Sequence, residues 1–317
     1  MKQLFSALAV AITAAAPVFA GTLGPYTDLV VFGDSTSDSG NAAALGEDFF
    51  DGFRFDLYPK GQFSNGDIWA TQLGAEPSLL GGTNYAYGSA RTLDKGDDIP
   101  DLGAQLVSFL TDAPELGSNP LAAISVGGND FRDFFAAGAG GGDPVAIAKF
   151  AEGVITEIST TVATLAATDI KDVLVFALPD LGRLPVLVGS DLSPFVSGVM
   201  AEVNAALAVA VTQLDALLAG TKVTLFDLNA TNYAVAEDPA DFGFTNVTEG
   251  CLLVGSACDP DSFFFWDDLH ATERANALIA SSVSDLINPV PLSAGFPLLL
   301  TGLGAFAVMS RRSKSRV

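Results

Sequence analysis

Four short runs rich in Val, Ile and Phe constrain this chain more than any other feature. They are Asp28-Leu-Val-Val-Phe32, Leu121-Ala-Ala-Ile-Ser-Val126, Val173-Leu-Val-Phe-Ala177 and Val223-Thr-Leu-Phe226. Each is almost continuously apolar and closes on Gly, Asp or Pro, the pattern of a strand buried on both faces of a parallel sheet. Helix-like segments fill the intervals, at 67–73, 102–110, 144–167, 194–218 and 272–286. Pro144 and Pro194 suit the first helical turn, and Gly220 suits a stop. Strands alternating with helices predict an open α/β sandwich, whose reactive groups gather at the carboxyl ends of the strands. The residues just after each strand are therefore the place to look for chemistry.

The two ends read differently from this middle. Met1 to Ala20 has a lysine at position 2, an apolar run from Leu4 to Ala16, and Val18-Phe19-Ala20 before Gly21. That is the plan of a signal peptide with a small-residue cleavage site, and it is too short for a bilayer span. The body is expected over 24–288, as one domain without repeats or a Ser- or Pro-rich linker. Residues 290–317 hold a stretch of 19 uncharged residues, 291–309, followed by Arg311, Arg312, Lys314 and Arg316. Such a stretch can just cross a hydrocarbon core of ~30 Å with the basic cluster left in the cytoplasm. Val290-Pro-Leu-Ser-Ala-Gly-Phe296, the apolar span and the basic tail resemble the PEP-CTERM class of bacterial sorting signals, nearest its VPLPA variety, with Ser293 at the usual proline. The resemblance implies export across the inner membrane of a Gram-negative-type bacterium and removal of the tail by an inner-membrane sorting protease. The alternative is a permanent C-terminal anchor.

Charge follows the same division. Of the 15 Lys and Arg, Lys2 and four tail residues lie outside the body, leaving ten against all 37 Asp and Glu, a formal charge of −27. Such a surface favours solubility and repels nucleic acid and anionic lipid, so no nucleic-acid partner is expected. The two cysteines, Cys251 and Cys258, stand seven residues apart in a loop-like stretch. In an exported chain they predict one local disulfide just ahead of His270, the alternative being two free thiols. With one histidine they make a poor metal set, and neither metal nor cofactor is expected.

After the first strand comes Gly33-Asp34-Ser35-Thr36-Ser37-Asp38-Ser39-Gly40-Asn41. After a short segment near Asn84–Tyr87 comes Gly88, and after the 121–126 run comes Gly127-Gly128-Asn129-Asp130. Phe263-Phe-Phe-Trp-Asp267-Asp-Leu-His270 opens the last helix. Singly these are ordinary turn sequences. Together they supply the parts of acyl transfer. A serine hydroxyl needs a positioned base, and the base needs an acid to hold its tautomer. His270 is the only histidine. Asp267, at i−3, can meet its Nδ1–H while Nε2 faces Ser35, with Asp268 the second candidate. Oxyanion donors are available from the backbone N–H groups of Ser35 and Gly88 and the side-chain amide of Asn129.

At these residues the chain resembles the GDSL, or SGNH, hydrolase family. Ser35 sits in GDSTSDSGN, Gly88 in GGTNYAYGSA, Asn129 in GGND, and Asp267 and His270 in WDDLHAT, all in family order. Gly61-Gln-Phe-Ser-Asn-Gly66, Leu178-Pro-Asp-Leu-Gly-Arg183 and the loop from Asn246 to Pro260 point to its phospholipase, lecithinase and haemolysin-like branch. The resemblance spans about residues 28–286. It implies a three-layer α/β/α flavodoxin-like sandwich with a five-stranded parallel sheet, Ser35, Gly88, Asn129 and His270 as signature residues, and Asp267 completing the triad. Three positions depart: Thr36 replaces a usual leucine, Ser89 a second glycine, and Gln62 an arginine near the substrate groove. No Gly-x-Ser-x-Gly elbow occurs, which argues against the α/β-hydrolase fold.

The sequence therefore predicts an exported serine ester hydrolase, of esterase, lipase or phospholipase type, acting on an ester or lipid through an acyl-serine. An acyltransferase using the same site, or a non-catalytic envelope or matrix protein keeping the fold, are the alternatives. Of the remaining features, Phe49, Phe50, Phe53 and Phe55 read as an acyl-binding lip or as loop residues packed on the core. Phe263 to Trp266 are expected beneath the catalytic loop, with substrate contact the alternative, and Asp94 to Asp98 as a solvated turn, with calcium binding the alternative. Asp34 and Asp130 are expected to brace their loops.

Overall fold

The computed structural model describes residues 22–46, 55–138, 142–255 and 258–288. Segment 1–20, read above as a signal peptide, the tail 290–317 and the phenylalanines at 49, 50 and 53 lie outside the described residues. In chain order the regular elements are β1 (Asp28–Gly33), α1 (Asn41–Leu45), α2 (Trp69–Gln72), α3 (Leu102–Asp112), β2 (Pro120–Ser125), α4 (Gly128–Ala136), α5 (Pro144–Ala166), β3 (Asp172–Phe176), α6 (Ser193–Leu217), β4 (Lys222–Phe226), α7 (Leu228–Glu237), β5 (Asn246–Gly250), α8 (Cys251–Val254), β6 (Phe263–Phe265) and α9 (Glu273–Ile287).

The four predicted strands form one parallel sheet in the order β1-β2-β3-β4. Strand side chains alternate between faces, and here both faces are dry. Val30, Phe32, Ala122, Ile124, Val173 and Val175 share a core with α3, α5 and α6. Leu29, Val31, Leu121, Ala123, Leu174 and Phe176 share another with α2 and α9. That makes three layers. α6 is long and apolar enough to cross a membrane. Its buried stripe of Val196, Val199, Met200, Val203, Leu207 and Val211 nevertheless packs on the sheet at helical spacing.

The strand count differs from the five expected. Beyond β1 the fifth position is filled by residues 83–87. They pair with β1 through Val31 N–H to Thr83 O (3.0 Å), Tyr85 N–H to Val31 O (2.7 Å) and Tyr87 N–H to Gly33 O (3.2 Å). Only Val31 and Asn84 meet bridge geometry, because the segment runs directly from the Gly81-Gly82 turn to the Gly88-Ser89 turn. With it the order is that of a flavodoxin-like sheet. A second, two-stranded sheet, β5 with β6, lies outside the four apolar runs. α4, whose Gly-Asn-Asp start reads as a turn, and α7 lie outside the helix-like segments.

The amino-terminal edge of the sheet carries both ends of the described body. Thr22 bonds Ser284 through its N–H (3.0 Å), and Asn288 Nδ2 donates to Thr22 O (3.0 Å). Thr27 N–H reaches Asn119 O (2.9 Å), and the Tyr26 hydroxyl reaches Asp172 at the start of β3 (3.1 Å).

At the opposite edge, the loop after β1 is wound around Asp38. Its fully buried carboxylate accepts the N–H groups of Gly40 (2.8 Å), Asn41 (2.7 Å), Ala42 (3.1 Å) and Gly88 (2.8 Å). Burial pushes the group up to about 6 against the pull of those donors. Asp38→Ala strands all four donors, and Asp38→Asn keeps one acceptor oxygen for about half of them. The alanine variant is expected to lose about 3 kcal/mol or more, and the asparagine variant less, as read by urea unfolding.

Candidate active site

β1 ends at Gly33, where a Cβ would stand 2.5 Å from the carbonyl oxygen of Ser125. Only glycine lets the chain turn that close to β2. Asp34 then accepts from Thr36 through both N–H (3.0 Å) and Oγ1 (2.8 Å), and Ser37 N–H closes on Asp34 O (3.0 Å). This tight turn presents Ser35 at the carboxyl edge of the sheet.

His270 arrives from far along the chain. Ser35 Oγ lies 2.8 Å from His270 Nε2, and His270 Nδ1 lies 2.7 Å from Asp267 Oδ2. Asp267 Oδ1 accepts the N–H groups of Leu269 and His270, both at 2.7 Å. The local turn thus orients the carboxylate before any substrate is present. All three residues are buried, each 9% exposed or less. The imidazole pairs with Asp267, and Asp268 instead uses its carbonyl to accept Val186 N–H (3.1 Å). Burial works against a charged His270, but the Asp267 carboxylate and its hydrogen bond outweigh that, and the imidazole sits above its ordinary value. Burial likewise works against ionised Asp267, yet the charge and hydrogen bond of His270 and the other donors hold it down at about 2.

The oxyanion side is less complete than expected. Among the described residues no hydrogen bond engages the Ser35 N–H. Asn129 stands in the first turn of α4, buried, with one amide hydrogen given to Ala90 O (2.9 Å) and the second without an acceptor among the described residues. Gly88 departs from its expected role. Its single N–H is given to Asp38, because that buried carboxylate has to be satisfied. Glycine is needed at 88 for another reason: a Cβ would meet the Phe63 ring at 2.2 Å, and that ring rests 5.2 Å from the His270 ring. Ser89 takes φ 66°, the left-handed region that explains a usual glycine there. Gln62 is buried and takes Ile68 N–H (2.9 Å) and Thr71 Oγ1–H (3.0 Å), so it closes its own loop and does not line a groove.

Other expectations can be placed. Asp130 accepts Thr92 N–H (2.9 Å), Thr92 Oγ1–H (2.8 Å) and Leu93 N–H (3.0 Å), a brace for α4. Asp94 and Asp97 cap their own turn through Gly96 and Ile99 N–H. Phe264 and Phe265 are buried beside the 267–270 turn. Cys251 and Cys258 are joined as a disulfide, with Cα atoms 5.4 Å apart. Gly250, just before it, packs so closely that a Cβ would lie 2.4 Å from the Asp267 carbonyl carbon. One contact had no signal in the sequence: the Tyr58 hydroxyl donates to Asp267 Oδ2 at 2.7 Å from 209 residues away. A cavity of about 60 Å³ adjoins His270, walled by Phe63, Pro179, Leu184 and Leu269, with Thr36 and Ser125 among its polar atoms.

The GDSL-like lipase/acylhydrolase family pattern matches residues 29–283. The thermolabile hemolysin of Vibrio parahaemolyticus is 25% identical over 286 residues, 82% of this chain and 63% of the relative. Esterase EstA of Pseudomonas aeruginosa is 27% identical over 337 residues, 91% of this chain and 50% of the relative. The phosphatidylcholine-sterol acyltransferase of Aeromonas hydrophila is 28% identical over 235 residues, 71% of this chain and 65% of the relative. The chain spans between half and two thirds of the length of these relatives.

A base must be neutral to accept a proton, and His270 is held above the ordinary 6.5. Reaction at Ser35 should therefore rise with pH along a limb centred above 6.5. Rates of Ser35 phosphonylation by a fluorophosphonate, followed from about pH 5 to 9, check this; a limb centred below 6.5 contradicts it.

Proposed function

Because the chain belongs to the GDSL-like lipase/acylhydrolase family, we propose that it is an exported carboxylic-ester hydrolase working through an acyl-Ser35 intermediate. The observation that carries this reading is the unbroken line Ser35 Oγ, His270 Nε2, His270 Nδ1, Asp267 Oδ2, with spacings of 2.8 and 2.7 Å. In the first step Ser35 Oγ attacks the ester carbonyl while His270 Nε2 takes its proton. Asp267 holds the imidazolium that forms, and His270 then protonates the leaving alkoxide. In the second step water, deprotonated by His270, releases the acid and restores the hydroxyl.

The developing oxyanion falls to the Ser35 N–H and the second hydrogen of the Asn129 amide, each donor worth roughly 2.7–4 kcal/mol. A contribution from Gly88 requires its N–H to leave Asp38. Export is supported by the signal-peptide pattern of 1–20, the acidic body and the Cys251–Cys258 disulfide. The 290–317 tail completes the reading as a PEP-CTERM-like signal, cut by an inner-membrane sorting protease of a Gram-negative-type envelope.

A second reading uses the same site as an acyltransferase, an alcohol replacing water in the second step. Its support is the likeness to the Aeromonas acyltransferase. Ser35→Ala in folded protein is expected to cut turnover of p-nitrophenyl acetate and butyrate by at least about 10⁴-fold and to abolish fluorophosphonate labelling. Undiminished turnover in that variant overturns the assignment. An unlabelled wild type favours a non-catalytic envelope component. Product analysis with sterol and sugar alcohols present separates ester transfer from hydrolysis.

A further inference from the structure

We infer that Tyr58 is a positioning residue of this site, a fourth member of the hydrogen-bonded line that sets how strongly Asp267 charges and orients His270. The inference rests on the reading of Ser35 as nucleophile and His270 as base given above.

Asp267 accepts four hydrogen bonds, two on each oxygen. Oδ1 takes the backbone N–H groups of Leu269 and His270. Oδ2 faces both His270 Nδ1 and the Tyr58 hydroxyl, each at 2.7 Å. Of these four, only the phenol comes from outside the 267–270 turn. Tyr58 is buried at 8% exposure, and its ring leans on Phe63 at 6.0 Å, which in turn lies against His270. The residue before it, Leu57, accepts Trp266 Nε1–H at 3.2 Å. Residues 57 and 58 therefore grip the catalytic loop at two points.

Sharing Oδ2 has an electrostatic consequence. A donor on that oxygen draws off part of the negative charge that the imidazolium would feel, so the carboxylate pulls less on a proton at His270 than a bare buried carboxylate does. The phenol stays a donor. Burial, then the charge of Asp267, hold it far above the ordinary tyrosine range. Among the described residues, the other charged groups that act on the cluster are carboxylates: Asp34 and Asp268 act on His270, and Asp268 also on Tyr58. Asp34 and Asp268 favour a charged His270, so the phenol works against the local trend.

Tyr58→Phe keeps the ring and removes the donor. The single histidine makes the test direct, since untagged protein gives one imidazole C2–H resonance to titrate by NMR. The variant is expected to raise the His270 pKa by about half to one unit. It should move the acid limb of Ser35 phosphonylation by the same amount and lower the pH-independent plateau about 3- to 10-fold. In an Asp267→Asn background the same substitution should leave the titration unmoved. Identical titrations and plateaus in wild type and Y58F overturn the inference, as does a shift that persists without the Asp267 carboxylate. The titration needs no turnover. A wild type that neither hydrolyses esters nor labels overturns the hydrolase reading, while the NMR comparison still decides the role of Tyr58.

Discussion

The carboxyl edge of this sheet is held by buried carboxylates that collect amide and hydroxyl donors. Asp34, Asp38, Asp130, Asp180 and Asp267 are all buried there. A carboxylate taken from water costs several kcal/mol unless donors surround it. A chain with 37 acidic and 15 basic residues has few cations to spare for that purpose. The loops themselves therefore wrap around the oxygens. Asp38 gathers the start of α1 and Gly88, Asp130 gathers Thr92 and Leu93, and Asp180 gathers Gly182 N–H, Ser197 and Tyr233. For Asp34, Asp38 and Asp130 burial wins and the group moves up. Asp267 moves down, because it alone of these four pairs with an imidazole that can carry charge.

Three glycines make the loops fit this closely. At Gly33, Gly88 and Gly250 a Cβ would press on the Ser125 carbonyl, the Phe63 ring and the Asp267 backbone, respectively. Each marks a place where two distant stretches of chain touch without a side chain between them. Through these contacts, segments near residues 33, 63, 88 and 250 converge on one serine and one histidine. The precision of a 2.8 Å approach across 235 residues depends on such contacts as much as on the triad itself.

How much of this could be read from the chain depended on how local each cause was. The four strands were legible because residues such as Val30 and Val31 are both apolar, which only a sheet covered on both faces explains. The triad was legible because Asp267 and His270 share one turn and no second histidine competes. α4 was not, since Gly128, Asn129 and Asp130 favour turns and only Gly127, at φ 119°, and the Asp130 brace fix them as a helix start. The fifth strand was over-read because pairing length is set by the turns at both ends of 83–87. The partner of the Gly88 N–H and the reach of Tyr58 belong to tertiary packing. Neither leaves a local pattern in sequence.

The two ends of the body leave from one spot. Thr22, Ser284 and Asn288 are hydrogen-bonded together at the edge where β1 begins, whereas Ser35 lies just past its far end, about 20 Å away for a strand of six residues. Whatever continues from either terminus is therefore joined to the face opposite the reactive serine. A segment joined before Thr22 or after Asn288 departs from the side of the sheet away from Ser35, leaving the approach to the serine to the loops that surround it.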